Sequence, residues 1–288
     1  MSFLHSASIA STLRKYGVTP RKKYGQSFLT DVTVAQRMVD AAALAAKDRV
    51  LEIGGGLGML TQQIAPAVEH LYVVEIDEGL VRALKDRFRN TPSVEIILGD
   101  ALRVDLPQVN KVISNLPYSI SSEVTFRILN EIDFELAILM YQREFADRIL
   151  AKPGSREYSR LSIDVQYLAV AESVTSVPAT KFYPKPAVDS TVLKLTKRRD
   201  GPLARNRATF YQLVHAIYSY PNKQLRKSLG IWFTNLGLDR ELADTVISRC
   251  KKRFHGEERI RTLTLEDLVT LADEVSQMID EGLLPQLE

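Results

Sequence analysis

The sequence has 288 residues, 45% of them hydrophobic, so it can form one large domain or two smaller ones with a full core. A formal net charge of +3 permits nucleic acid as a partner without requiring it. The single cysteine, Cys250, excludes an internal disulfide and a multi-cysteine zinc site, and the four histidines lack metal-ligand spacing. No apolar run approaches membrane-spanning length. We therefore expect neither a metal nor a membrane partner.

The N-terminal segment, residues 1–30, contains no acidic residue. Its cations are Arg14, Lys15, Arg21, Lys22 and Lys23. Such a composition is typical of an organellar transit peptide or of a basic arm that stays attached and contacts phosphates. We favour the arm, because the basic run leads directly into a motif that begins near Tyr24. Residues 19–29 are interrupted by Pro and Gly and predict a loop, and Asp31 is the predicted N-cap of a helix that follows.

The central feature is a short apolar strand at residues 50–53, followed by four glycines within five positions. Leu60, Ile64 and Val68 then recur at helical spacing. Strand, glycine turn and helix form the first unit of a doubly wound sheet, whose ligand lies beyond the carboxyl end of the strand. Met59 stands where a dinucleotide fingerprint needs its third glycine, which disfavours NAD. The spacing of Glu52 and the glycines resembles motif I of methyltransferases that use S-adenosylmethionine (SAM), although this loop alone leaves other ligands open.

Two acidic residues follow the next two predicted strands, 71–76 and 94–98. Glu75 is placed to accept hydrogen bonds from ribose hydroxyls, which both SAM and NAD carry. The alternative for an acid here is a helix N-cap, and Asp77 fits that role better than Glu75 does. Asp100 is placed to accept from an adenine amino group, but a turn aspartate is the simpler interpretation of this residue alone.

The most specific signal is Asn115-Leu116-Pro117-Tyr118 at the end of a predicted strand, 111–114. It resembles the Asn/Asp-Pro-Pro-Tyr-like tetrapeptide that N6-adenine and related amino methyltransferases carry at this strand end. The exocyclic nitrogen of adenine is a poor nucleophile, because its lone pair is delocalised into the ring. Acceptors on the Asn115 side chain and the Leu116 carbonyl would draw that nitrogen toward sp3 geometry. Pro117 stiffens the loop, and Tyr118 offers a face for stacking a flipped base. The alternative is an ordinary Asn-Pro turn with a core tyrosine, which the position after a glycine loop makes less favoured.

The remaining pattern predicts further strands at residues 134–141, 169–177 and 190–196, with helices at 123–130, 142–150 and 161–168. Phe182 lies in a rigid Pro-rich loop and either forms a second stacking face or packs the loop. A basic, Gly-Pro-containing stretch near residues 196–207 predicts a boundary, with a catalytic domain at 1–198 and a helical domain at 199–288. Basic groups beside this seam, including Lys223, Arg226, Lys227 and 251–253, favour a phosphate-binding groove over a solvated face.

Four segments resemble, in order, those of the ribosomal RNA adenine N6,N6-dimethyltransferases, the KsgA-like group to which the Erm resistance methyltransferases are related. They are the runs 25–29, 52–58, 115–118 and 182–190. The resemblance covers about residues 22–195 strongly and the helical tail more loosely. Ser119 to Ser122 look closer to archaeal or eukaryal members. The family usually has Asn or His at the position of Ser27, so the shorter hydroxyl predicts weaker contact with the cofactor. Only residues 223–227 correspond to the arginine-rich helix of the family.

The resemblance implies an α/β fold: a Rossmann-like SAM methyltransferase with a seven-stranded, mostly parallel sheet, plus a small C-terminal α-helical domain. It implies that two adjacent adenosines in the 3′-terminal hairpin of small-subunit rRNA are dimethylated in the immature ribosomal subunit, by a cytoplasmic monomer. It implies that SAM contacts Ser27, Leu29, Gly54, Gly56, Glu75, Asp100 and Asn115. It implies that catalysis depends on Asn115, Leu116, Pro117, Tyr118 and Phe182, with Tyr118 and Phe182 clamping the adenine.

Two alternatives remain at this point. An Erm-like enzyme would modify large-subunit rRNA instead, and mapping dimethyladenosine would separate the two. A non-catalytic RNA-binding assembly factor would keep the fold and lose the chemistry, although the intact acids and the tetrapeptide argue against it.

Overall fold

The computed structural model describes residues 6–20 and 25–286. Contacts divide the chain into two compact units. The first comprises residues 1–146 and 169–197, and the second comprises residues 147–168 and 198–288. The last change of unit falls between residues 197 and 198, one residue before the predicted boundary between 198 and 199. The helical unit additionally takes in residues 147–168, because their apolar side chains Tyr158, Ile163 and Tyr167 belong to its core.

The first unit is built on a seven-stranded sheet. The strands of the chain are β1 (Phe28–Leu29), β2 (Arg49–Ile53), β3 (His70–Glu75), β4 (Val94–Leu98), β5 (Lys111–Asn115), β6 (Leu136–Gln142), β7 (Ala169–Val177), β8 (Phe182–Tyr183) and β9 (Ser190–Lys197). The large sheet has the order β4-β3-β2-β5-β6-β9-β7, and β1 pairs separately with β8. The first five strands of this order run parallel to one another. Strand β9 is antiparallel to both of its neighbours, β6 and β7. The predicted seven-stranded, mostly parallel sheet is therefore confirmed.

Helices α1 to α5 all belong to the first unit: α1 (Ser6–Lys15), α2 (Val32–Ala42), α3 (Met59–Ile64), α4 (Glu78–Phe88) and α5 (Ser121–Glu131). Local sequence explains where two of them begin. Asp31 caps α2 by accepting from the amides of Thr33 and Val34, as predicted. Asp77 caps α4 in the same way, which leaves Glu75 free of that role. Helix α1 lies in the stretch for which the sequence predicted only a basic arm.

The order of the strands determines where a ligand can bind. Strands β2, β3 and β5 are adjacent and parallel, so their carboxyl ends meet at one edge of the sheet. The chain reverses its direction of winding between β2 and β5, and this switch point is where open α/β sheets form their binding crevices. The residues after Ile53, Val74 and Ser114 consequently face one another.

The chain continues through α6 (Arg143–Leu150), α7 (Arg160–Leu168), α8 (Arg207–Ile217), α9 (Leu225–Asn235), α10 (Leu242–Arg249) and α11 (Leu265–Asp280). No strand follows Lys197 in the part of the chain that the structure describes, so the predicted helical C-terminal region is confirmed. The second unit has its own core, in which Phe210, Leu229, Phe233 and Leu268 are fully buried. Helix α11 begins with a capping box between Thr264 and Asp267.

Candidate functional site

A pocket opens at the switch point of the sheet. Its walls come from the segment before and within β1, the glycine turn after β2, the end of β3 and the segment after β5. The pocket is partly open, and its empty space, counted together with the adjoining solvent, is about 780 Å³. Predicted residues that line it are Ser27, Leu29, Gly54, Gly56, Glu75, Asn115, Leu116, Pro117 and Tyr118.

The glycine turn brings the backbone of β2 close to the β5 segment. Gly54 has a positive φ of 78°, and its amide donates to Val74 O at 2.8 Å. A Cβ on Gly54 would lie 3.2 Å from Pro117 Cγ. Gly56 also has a positive φ, 56°, and a Cβ there would lie 3.2 Å from the ring of Phe28. Both glycines therefore allow a conformation and a close approach that a side chain would disfavour.

Glu75 is a buried carboxylate at the pocket wall, with a relative exposure of 5%. Its Oε2 accepts from Gly56 N at 2.9 Å, and its Oε1 accepts from the amides of Ile76 and Asp77 at 3.0 and 3.1 Å. A carboxylate has about four acceptor positions, so three amides leave one position, on Oε2. Burial raises the pKa of Glu75 against the lowering effect of these amides. Glu75 thus orders the turn and retains one acceptor toward a ligand.

Glu52 is the second buried carboxylate of the pocket, at 1% exposure. Its Oε2 accepts from Thr61 Oγ1 at 2.7 Å. Burial, together with the nearby charge of Glu75, raises the pKa of Glu52 to about 8. The side chain therefore holds a proton across the neutral range until a cation or rising pH removes it.

Asn115, the last residue of β5, carries an unusual polar group. Its Nδ2 donates to the carbonyl oxygen of Ser27 at 3.2 Å. This contact orients the amide, and its Oδ1 is buried without a hydrogen-bond partner in the structure. A buried acceptor without a partner costs about 1–3 kcal/mol. An unpaired acceptor at a pocket wall is a position at which a ligand N–H would be accepted.

The segment after Asn115 is held rigidly. Tyr118 Oη and Ser190 Oγ form a hydrogen bond of 2.6 Å, which fixes the ring, and burial raises the pKa of this phenol. A Cβ on Gly25 would lie 2.8 Å from the amide nitrogens of both Tyr118 and Ser119, so the N-terminal motif packs directly on this backbone. Tyr118 therefore presents its ring from a fixed position at the pocket.

The β1–β8 pair joins the N-terminal motif to the Pro-rich loop. Ser27 Oγ donates to Pro184 O at 3.1 Å, so this hydroxyl already has a protein partner. Leu29, at 5% exposure, pairs with Phe182 across the two strands. Phe182 itself does not line the pocket, and at 4% exposure its ring belongs to the same buried cluster as Leu29. Its role as a second stacking face stays a prediction, while its role in packing the loop is evident.

Asp100 is not among the residues that line the pocket, although Gly99 before it donates to the carbonyl oxygen of the lining residue Glu75 at 2.9 Å. Its Oδ1 accepts from Leu102 N at 2.9 Å, and its Oδ2 is 3.7 Å from Arg103 Nε. These are the contacts of a turn aspartate, the interpretation that the sequence favoured for Asp100 alone. A contact between its carboxylate and a ligand stays a prediction.

Sequence reasoning missed much of the apolar lining. Ile9, Leu57, Ile76 and Leu80 line the pocket together with the predicted residues. Leu57 and Ile76 directly follow predicted site residues, so adjacency could have indicated them. Ile9 lies in α1, and no local motif marks it.

Two further observations concern other kinds of site. Within residues 6–20 and 25–286, no group of three or more His, Cys, Asp or Glu side chains is arranged to hold a metal ion. No helix in these ranges combines the length and the hydrophobicity needed to cross a membrane.

The strand order, the glycine turn and the pocket at the switch point define a Rossmann-like methyltransferase. More specifically, residues 17–263 match the family model described as ribosomal RNA adenine dimethylase, and the chain belongs to that family. A relative from Methanosarcina barkeri, called a probable ribosomal RNA small subunit methyltransferase A, is 42% identical over 267 residues, or 93% of this chain and 91% of the relative. A relative of the same name from Methanothermobacter thermautotrophicus is also 42% identical and covers 92% of this chain and 94% of its own.

Solved structures support the same fold. A dimethyladenosine transferase from Plasmodium falciparum is similar with a TM-score of 0.78 and 26% identity, covering 88% of this chain and 98% of its own. The 23S rRNA methyltransferase ErmE is similar with a TM-score of 0.67 and 24% identity, covering 87% of this chain and all of its own. The ErmE likeness concerns the fold alone.

Proposed function

We propose that this protein transfers methyl groups from SAM to the N6 atoms of two adjacent adenosines in the 3′-terminal hairpin of small-subunit rRNA, during assembly of the subunit. The observation that carries the proposal is the unpaired Oδ1 of Asn115, buried beside the glycine turn. The names of relatives that match over more than nine-tenths of this chain support the small subunit as the target.

The pocket residues fit SAM. Gly54 and Gly56 leave the backbone accessible where side chains would fill the space, and Glu75 keeps one acceptor position for a ribose hydroxyl. The apolar wall of Leu57, Ile76 and Leu80 suits a nucleoside. When bound, SAM supplies a methyl group on a positively charged sulfonium. A bound sulfonium would in turn favour the ionised forms of Glu52 and Glu75, whose pKa values burial raises.

The protein's contribution to the chemistry is to position the adenine. Asn115 Oδ1 accepts one N6–H, and the Leu116 carbonyl accepts the other, so that the nitrogen lone pair is directed toward the methyl group. Pro117 holds Leu116 in position, and the ring of Tyr118, fixed through Ser190, supports the extruded base. No group with a shifted pKa has to act as a base, because the methylated amine loses its proton readily.

The helical unit supplies cations for the RNA. Arg226 and Arg253 are paired with Asp244 and Asp267, so they are partly neutralised. Lys223, Lys227 and Arg240, in contrast, are exposed and line an open cavity beside α9. We assign phosphate binding to these three cations, since exposed Lys and Arg side chains on one surface neutralise RNA phosphates.

A transfer assay tests the proposal. The purified protein, labelled SAM and small ribosomal subunits that lack the modification are expected to give labelled N6,N6-dimethyladenosine at two adjacent positions of the 3′ hairpin, as mapped by mass spectrometry of RNase fragments. Label in large-subunit rRNA would favour the Erm-like alternative. If neither rRNA is labelled, the result would favour a non-catalytic assembly factor.

A further inference from the structure

Helix α1 is docked on the first unit by an apolar face and by polar contacts. Ile9, Leu13 and Val18 share a buried cluster with Leu57 and Leu80. Beyond this cluster, Tyr16 Oη donates to Asp86 at 2.9 Å, and Arg82 donates to Tyr16 O at 3.2 Å. A Cβ on Gly79 would lie 2.5 Å from Val18 Cγ2, so α4 and the end of the N-terminal segment approach closely.

One residue of α1 also reaches the site. Ile9 lines the pocket, whereas Leu13, one turn further along the same helix and in the same cluster, does not. Both side chains are almost fully buried, at 1% and 2% exposure. Leu57 and Leu80 belong to both the cluster and the pocket lining. The apolar wall of the pocket is thus continuous with the surface on which α1 docks.

The match to the family model begins at residue 17, after the end of α1. The matched region therefore does not include α1, and the contribution of α1 to the pocket rests on its contacts in the structure. Arg21, Lys22 and Lys23 of the predicted basic arm lie outside the described residues, so contact of that arm with phosphates stays a prediction.

We propose that α1 forms one wall of the cofactor pocket and that Ile9 contacts the bound cofactor from that wall, beside Leu57 and Leu80. This inference rests on the proposed function, since it takes SAM as the ligand. Because the wall belongs to a docked helix, cofactor binding and α1 docking stabilise each other, and the two effects are equal by linkage.

The closing experiment uses the full chain and two matched substitutions. Ile9→Ala and Leu13→Ala remove similar apolar volume from the same helix and cluster, but only Ile9 lines the pocket. SAM affinity is measured by calorimetric titration, and hydrogen exchange is followed in peptides covering residues 9–16 with and without saturating SAM. Loss of the Ile9 contact is expected to weaken SAM binding about tenfold, and Leu13→Ala is expected to weaken it less. In the wild type, SAM is expected to slow exchange in α1.

Each outcome decides a separate point. If the wild type does not bind SAM, the proposed cofactor is wrong, and the inference falls with it. If the wild type binds SAM but Ile9→Ala binds as tightly, or α1 exchange is unchanged at saturation, α1 is not a wall of the site while the proposed function stands. Equal weakening by both substitutions would mean that α1 acts through docking alone and would overturn the contact assigned to Ile9. Should Ile9→Ala not fold, the exchange measurement on the wild type still decides.

Discussion

Gly54 lies so close to Pro117 that a single methyl group added to Gly54 would contact the proline ring. A Cβ on Gly54 would lie 3.2 Å from Pro117 Cγ and 3.8 Å from the carbonyl oxygen of Asn115. The turn after β2 and the segment after β5 therefore meet directly, although Gly54 and Pro117 are 63 positions apart in the sequence. This contact places the glycine cradle beside the amide that is proposed to bind the target base.

Gly54→Ala is expected to weaken SAM binding, because the new Cβ presses on Pro117 and also strains a residue with positive φ by about 1–2 kcal/mol. Gly237→Ala is the matched control. Gly237 has a similar φ of 73°, but nothing lies within 4 Å of its Cβ position. Gly54→Ala is expected to lose at least as much thermal stability as the control in a melting experiment, and only Gly54→Ala should lose SAM affinity in a titration. Equal SAM affinity in the two variants would contradict a cradle at Gly54.

Glu75→Gln is expected to weaken SAM binding roughly 10- to 100-fold, since charged acceptors contribute about 1.5–3 kcal/mol. The neutral amide keeps one acceptor oxygen, and its NH2 group faces backbone N–H groups that the carboxylate now accepts from. Glu78→Gln, three residues along, is the control, because Glu78 is exposed and is 4.0 Å from Arg82. Calorimetric titration of both variants checks this. A Glu75 variant that binds as the control does would show that the carboxylate is structural only.

Two substitutions of Tyr118 distinguish the contribution of ring stacking from that of the hydrogen bond. Tyr118→Phe loses the bond to Ser190 but keeps the ring, and it is expected to retain most transfer activity. Tyr118→Ala loses a stacking contribution of about 1–3 kcal/mol, so its kcat/KM for the undermodified subunit should fall roughly 5- to 150-fold while SAM affinity is retained. The idea of a stacking face fails if the Phe variant is as impaired as the Ala variant.

The raised pKa of Glu52 predicts that the stability of the protein depends on pH. Its pKa is about 8 in the folded protein against an ordinary value of 4.5. Between these values the unfolded chain releases the proton while the folded protein retains it, so the free energy of unfolding decreases as pH rises from about 4.5 to about 8. Urea unfolding of the wild type and of Glu52→Gln should show a difference between them that grows with pH across this window. Parallel pH profiles would mean that Glu52 ionises normally.

The strands and glycine loop were predictable because short apolar runs and turn residues are local signals. Strand ends and the N-cap at Asp31 followed from the same kind of reasoning. Helix α1 was not predicted, because it has no acidic residue in its first turn and only a short apolar face at Ile9 and Leu13. Its order depends on docking, since helices of this length gain most of their stability from tertiary packing.

The site residues likewise divide into those whose placement could be predicted from the sequence and those whose placement could not. Gly54, Glu75 and Asn115 meet because they end adjacent parallel strands, which sequence order and fold class make predictable. The burial of Phe182 depends on tertiary neighbours that motif reasoning does not include, whereas the contacts of Asp100 are local and match the turn interpretation. The same holds for residues 147–168, whose packing in the helical unit is decided by partners beyond residue 198.

The central claim is that the unpaired Oδ1 of Asn115 accepts from the target amino group. Its most direct test is a single-turnover measurement of methyl transfer to undermodified small subunits by Asn115→Ala and wild type at saturating SAM. The transfer rate of the variant is expected to fall by about 100-fold or more, as when one positioned hydrogen-bonding group is removed from an active site, with SAM affinity within a few fold of the wild type. A variant that transfers at close to the wild-type rate would contradict the role of Asn115.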